Sequence, residues 1–182
     1  VYNAGRNDLA SVYKRACYNL EGVAMAEKSA MEKIRQISEN PEVTAMTESR
    51  KTAVDNILKE HLSALKEIMI RKSSNLNVPA VNLVTDNYEK MAMKIVPTPT
   101  RKAATMGYGG DRRNISSLPL DFLSKYRYGR IVNTSETAGM ANGKRNLLDI
   151  KKMVDAQFET ESPLQDIINY FMVLKEAGLM KY

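Results

Sequence analysis

Residues 9–37 read LASVYKRACYNLEGVAMAEKSAMEKIRQI and residues 41–72 read PEVTAMTESRKTAVDNILKEHLSALKEIMIRK. In the first stretch Leu9, Tyr13, Ala16, Leu20 and Val23 recur at alternating intervals of four and three, and Ala30, Ile34 and Ile37 resume that register with only Glu27 interrupting. This is a heptad seam, which predicts one long helix. Gly22 inside it costs about 1 kcal/mol relative to Ala, too little to break the run. Asn40-Pro41 then stops it, because Pro disfavours helical geometry in the residue before it while Asn and Pro suit the cap and first turn of a second helix. That helix is expected to run to about Lys72, with Val54, Leu58, Leu65 and Ile68, flanked by Ile57, Leu62 and Met69, as its apolar stripe. A link this short makes the two antiparallel neighbours.

Downstream the pattern weakens. Val81, Val84, Tyr88, Met91 and Ile95 fall at helical spacing after Pro79, predicting a third helix that Pro97 and Pro99 end. From Val96 to Leu118 periodicity gives way to Pro, Gly, Thr and Ser, which reads as a long loop of the kind that carries function. A short helix is expected between Leu118 and Tyr128, opened near Pro119 and stopped by Gly129; residues 131–146 read as loop. Leu147, Ile150, Val154 and Phe158 mark a further helix. The last begins at Ser162-Pro163-Leu164-Gln165, read as a capping box, carries Leu164, Ile167, Ile168, Phe171 and Leu174 inward, and ends at Gly178. The fold class expected is therefore all-α: a long antiparallel helical hairpin over residues 1–73, then a smaller helical region over 74–182 with long basic loops. The two parts form one compact unit or two closely packed subdomains.

At 182 residues with 43% hydrophobic and 26% charged residues, nine Gly and six Pro, the composition is that of an ordinary globular chain able to bury its own core. Collagen-like, mucin-like and wholly disordered chains are excluded. No apolar run approaches the roughly 18–20 residues of a membrane span, and the segment after Val1 does not read as a signal peptide, so a soluble, intracellular protein or a component of a virion or nucleoprotein particle is expected. A chain opening Val1-Tyr2 is expected to be a processed product or a piece of something longer.

One Cys and one His narrow the chemistry further. Zinc needs three or four Cys and His ligands, and a hydrolytic triad needs a histidine beside a nucleophile; His61 lies in a helical stretch with no such partner in its spacing. Cys17, between Ala16 and Tyr18, reads as a small buried hydrophobe. Neither a metal nor a cofactor is expected, and no catalytic residue is assigned. The run from Ala138 to Asn146 holds Gly139, Gly143 and Lys144, yet it lacks the Walker spacing, the Ser or Thr after the lysine, and the preceding strand. Asn114-Ile115-Ser116 and Asn133-Thr134-Ser135 match a glycosylation pattern too short to carry weight. Eleven methionines read as core filler.

The charge is local. Residues 1–90 carry 13 basic and 12 acidic side chains, residues 91–131 carry 8 and 2, and residues 154–182 carry 2 and 5, so the net +6 of the whole chain equals that of residues 91–131 alone. This asymmetry is the footprint of a polyanion partner. The expected nucleic-acid contacts are Arg101, Lys102, Tyr108, Arg112, Arg113, Lys125, Tyr126, Arg127, Tyr128 and Arg130. Cations neutralise phosphates, tyrosine rings stack on unpaired bases at about 1–3 kcal/mol each, and Gly107, Gly109 and Gly110 let backbone amides approach a phosphate. The competing reading packs Tyr126 and Tyr128 on the core and pairs the arginines with the acidic terminal helices.

The terminal helix pair, with YFMVLKEAGLMKY at its end, is similar in outline to a helix-turn-helix. Glu159, Glu161, Asp166 and Glu176 would face the polyanion, which favours a plain helical hairpin. Together these features point to a non-enzymatic nucleic-acid-binding subunit of an assembly that self-associates or joins other protein subunits. A structural or adaptor helical module is the alternative, as is an accessory helical piece of a larger replication enzyme.

Overall fold

The computed structural model describes residues 1–38, 40–106 and 111–182, without the side chains of 104–106 and 111–113. The fold is all-α apart from one pair of two-residue strands. Two compact units follow one another, Val1–Val84 and Thr85–Tyr182.

The first unit is the helical hairpin. Helix α1 spans Leu9–Ile37 and α2 spans Pro41–Asn75, with Pro41 in the first turn and the Asn40 side chain accepting from the Glu42 amide at 2.8 Å. Near the open end the two pack through Tyr13, Cys17 and Met69, against which Val1, Leu62, Leu65 and Val81 close. Burial pushes the Tyr13 phenol up, and its neighbour Cys17 adds to the shift. Toward the tip the packing changes character. The pairs Lys28–Asp55 at 2.5 Å, Lys51–Glu32 and Arg35–Glu48 at 3.3 Å bridge the helices, and among the described residues from 25 to 68 only Thr47 is buried. The seam expected along α1 does not stay inside the hairpin: Val23, Ile34 and Ile37 are exposed, and the buried set is Leu9, Tyr13, Cys17, Gly22 and Ala24. The reason is geometric. A strict heptad drifts by about 20° per repeat on a straight α-helix, so four heptads carry the stripe about 80° away from the partner.

In the second unit, α3 spans Asn87–Lys94, β1 Thr98–Pro99, α4 Arg101–Met106, α5 Asp111–Ser116, α6 Leu120–Lys125, α7 Thr134–Gly139, α8 Leu147–Phe158, α9 Leu164–Glu176 and β2 Met180–Lys181. The core lies between α8 and α9, where Leu147, Ile150, Met153, Val154, Ile167, Phe171, Val173 and Leu174 are almost fully enclosed. Gly178, at φ +73°, ends α9 as expected.

Four expectations are corrected here. The third helix starts at Asn87, not near Val81, because Asp86 and Glu89 form a capping box; Glu89 and Ala92 face inward while Tyr88 and Met91 are exposed. The stretch 96–118 is not one loop. It contains β1, α4 and α5, and β1 pairs antiparallel with β2, Thr98 opposite Lys181. The stretch 131–146 holds α7, capped by Asn133, whose side chain accepts from the Glu136 amide at 3.0 Å. Ser162 does not cap α9. It is fully buried, its amide donates to Asp155 Oδ1 at 2.9 Å, and its hydroxyl accepts from the Val132 amide, while Gln165 donates to Asn169.

Candidate nucleic-acid interface

Helix α9 is the scaffold on which the basic segments converge. Pro119 opens α6, and the chain then runs through Tyr126, Arg127, Tyr128 and Arg130 beside the first half of α9. Tyr128 packs its ring 5.0 Å from that of Tyr170, and the Asn169 amide group donates to the Arg127 carbonyl at 2.7 Å. Tyr126 stacks at a tilt on Phe122, 4.7 Å between centroids, with the Lys125 ammonium 5.2 Å from the Tyr126 ring. Both tyrosines are half-buried, so each anchors the segment with one part of its ring and leaves another at the surface.

Arg130 forks onto Asp166, with Nη2 to Oδ1 at 2.6 Å, Nε to Oδ2 at 3.3 Å, and the Arg130 amide to Oδ2 at 3.1 Å. The guanidinium holds the Asp166 carboxyl below its usual range, and the carboxylate in turn raises Arg130. An acid that would have repelled a polyanion is thereby neutralised. The other end of α9 is met by Lys102, whose ammonium donates to the Ala177 carbonyl at 3.0 Å, a cation at the negative end of the helix. Between these ends lie about 11 residues of helix, or about 16 Å. Lys125, Arg127 and Arg101 are exposed, and Arg127 donates through Nε to the Ser124 carbonyl at 3.3 Å.

Sequence reasoning missed Lys175 and Tyr182. Lys175 lies 4.4 Å from the Tyr182 ring centroid, the Tyr182 hydroxyl donates to Met172 sulfur at 2.9 Å, and burial together with the nearby Tyr126 phenol pushes Tyr182 up to about 12. These two residues extend the Lys125–Tyr126 cluster with a second aromatic and a second cation. Tyr182 gains meaning only when β2 pairs with β1, whereas Lys175 stands in the last turn of α9 itself.

The predicted set thus divides. Lys125, Tyr126, Arg127, Tyr128 and Arg130 come together beside α9, with Arg101 and Lys102 at its far end. Tyr108 lies outside the described residues, as do the side chains of Arg112 and Arg113; their helix, α5, runs against α9. The glycine run at 138–146 offers no ready cradle, because Gly143 N–H donates to the Pro97 carbonyl and the Lys144 and Arg145 amides donate to Asn142 Oδ1. Among the described residues no three of His, Cys, Asp and Glu converge as a metal ion requires, and no helix is long and apolar enough to cross a membrane. No family model, curated protein or solved structure matches the chain.

Proposed function

We propose that this chain is a non-enzymatic nucleic-acid-binding protein that works as a subunit of an assembly, a nucleoprotein or coat-type component, gripping a phosphate backbone through the surface around α9. The observation that carries the proposal is that residues 91–131 hold the equivalent of the chain's entire net +6, with Lys125 and Arg127 exposed beside half-buried tyrosines. Cations and half-exposed rings on one surface suit a single strand, whose phosphates need charge and whose bases have open faces. Arg130 contributes by cancelling Asp166 more than by reaching a phosphate. The proposed setting is intracellular or within a nucleoprotein particle.

The test is binding to a labelled single strand of about 20 nucleotides across a salt series, with heparin as the polyanion control. Contact by six to eight cations gives a log–log slope of about −4 to −6. Replacing Arg112, Arg113, Lys125 and Arg127 together by Ala is expected to reduce that slope by about 3. Arg130 stays out of the set because it holds the fold. Unchanged affinity in a variant of native helicity overturns the proposal. The exposed apolar residues on α1 and α2 favour a second reading, a structural or adaptor module whose basic face docks on an acidic protein. Absence of strand binding at low salt moves the assignment there.

A further inference from the structure

Between the hairpin core and the first turn of α3 the chain runs from Val81 to Asp86 with no helix or strand. Both ends of this segment are fixed. Val81 closes on the Tyr13, Cys17 and Met69 cluster and donates its amide to the Met69 sulfur at 3.3 Å. Asp86 opens α3 through its capping box, in which Asp86 and Glu89 exchange amide-to-carboxylate bonds at 2.9 Å.

The residues between these anchors are Asn82, Leu83, Val84 and Thr85, and all four are exposed, as are Asp86, Asn87 and Tyr88 after them. Leu83 is 45% exposed and Val84 73%. Among the described residues, the amides of Asn82 to Thr85 donate to no backbone carbonyl. The tie on the stretch is a solvent-exposed bond from Lys14 Nζ to the Val84 carbonyl at 3.1 Å.

These are the properties an endoprotease selects. It reads its substrate as an added strand, so it needs several consecutive residues whose backbone groups can turn to it and an apolar side chain to fill its pocket. A helix withholds both, because its amides and carbonyls are already bonded to each other. Among the described residues, the large exposed aliphatic side chains stand on helices, with three exceptions: Leu83, Val84 and Val132. The Val132 amide is tied to the Ser162 hydroxyl, which leaves Leu83 and Val84.

We infer that Asn82 to Thr85 is a cleavage site for an endoprotease whose pocket takes a branched aliphatic side chain. Water adds to the carbonyl carbon of Leu83 or Val84 and the C–N bond breaks. The departing nitrogen takes up a proton, so one product ends in a new carboxylate and the other begins with a new amine. Neither product loses its core, because the boundary between the compact units falls at Val84 and Thr85. The first keeps Tyr13, Cys17, Met69 and Val81; the second keeps the α3 cap, the β1–β2 pair and the α8–α9 core. The segment from Lys125 to Arg130 stays with α9 on one product. A basic-specific protease is excluded by the sequence, since no Lys or Arg stands between Lys72 and Lys90.

The experiment digests the full chain with a low level of elastase, which takes aliphatic side chains, and follows the masses and new N-termini of the products over time. The expected first cut falls after Leu83 or Val84, and the product that begins there and ends at Tyr182 persists. The combined Leu83→Asp and Val84→Asp variant, changed only at exposed positions, should keep its helicity and lose at least about tenfold in the rate of that cut, because a carboxylate is rejected by an apolar pocket. A synthetic peptide of residues 78–90 corrects for the action of urea on the protease itself. Relative to that peptide, the cut in the folded chain should change little in moderate urea, since opening so short a segment exposes little surface. A first cut elsewhere, a chain that resists until it unfolds, a steep urea dependence, or a double variant cut as fast at the same bonds overturns the inference. Strand binding plays no part in these readouts, so the proposed function stands or falls separately.

Discussion

Arg130 occupies the most basic stretch of the chain, yet its guanidinium is committed to the buried carboxylate of Asp166. Replacing it with Ala strands that carboxylate, so the midpoint of thermal unfolding is expected to fall by about 2–6 °C at neutral pH. The pH dependence has a definite sign. Asp166 is held below the ordinary value near 3.9, so the stabilisation is complete above that value and is lost as pH falls through the lower folded value. The difference in Tm between wild type and Arg130→Ala should therefore be constant from about pH 5 to 7 and vanish in acid. A difference that persists unchanged at low pH rules out this pairing as its cause. Gly143 makes a second test at the same scale. Its φ is +73° and a Cβ there would come within 2.9 Å of Thr98 Oγ1, so Gly143→Ala should cost about 1–3 kcal/mol in chemical denaturation.

At the scale of elements, the short helices decided what sequence could reveal. Helices α1, α2, α8 and α9 each present enough turns for their apolar spacing to stand out, and all four were legible. Helices α4, α5 and α7 have six residues each, too few for periodicity to register. Their signals were of another kind. Asn133-Thr134-Ser135-Glu136 matches a glycosylation pattern, but Asn followed by Glu three residues later is a helix start, and the structure uses it as one. Asn133→Ala should destabilise the second unit by about 1 kcal/mol, read from its denaturation midpoint. Ser162 shows the converse. Its sequence context matched a capping box, but Asp155 claims its backbone amide, and that tertiary contact was not legible. The candidate site was legible in the same uneven way: Tyr126 to Arg130 are contiguous, whereas Tyr182 follows β2 and Lys102 follows β1, and the β1–β2 pairing brings both to the end of α9.

For the whole molecule, the two units differ in what holds them. The second encloses a dense core between α8 and α9, where Ile150, Val154, Ile167, Phe171 and Val173 have no exposure. The distal hairpin encloses almost nothing by itself and relies on ion pairs that are partly exposed, each worth about 0–1 kcal/mol. Local opening should follow this division: amides of α8 and α9 exchange slowest, and those between Val23 and Ile57 open at a small fraction of the global free energy. Hydrogen exchange reads this order directly, and protection of the distal hairpin equal to that of α8 and α9 overturns it.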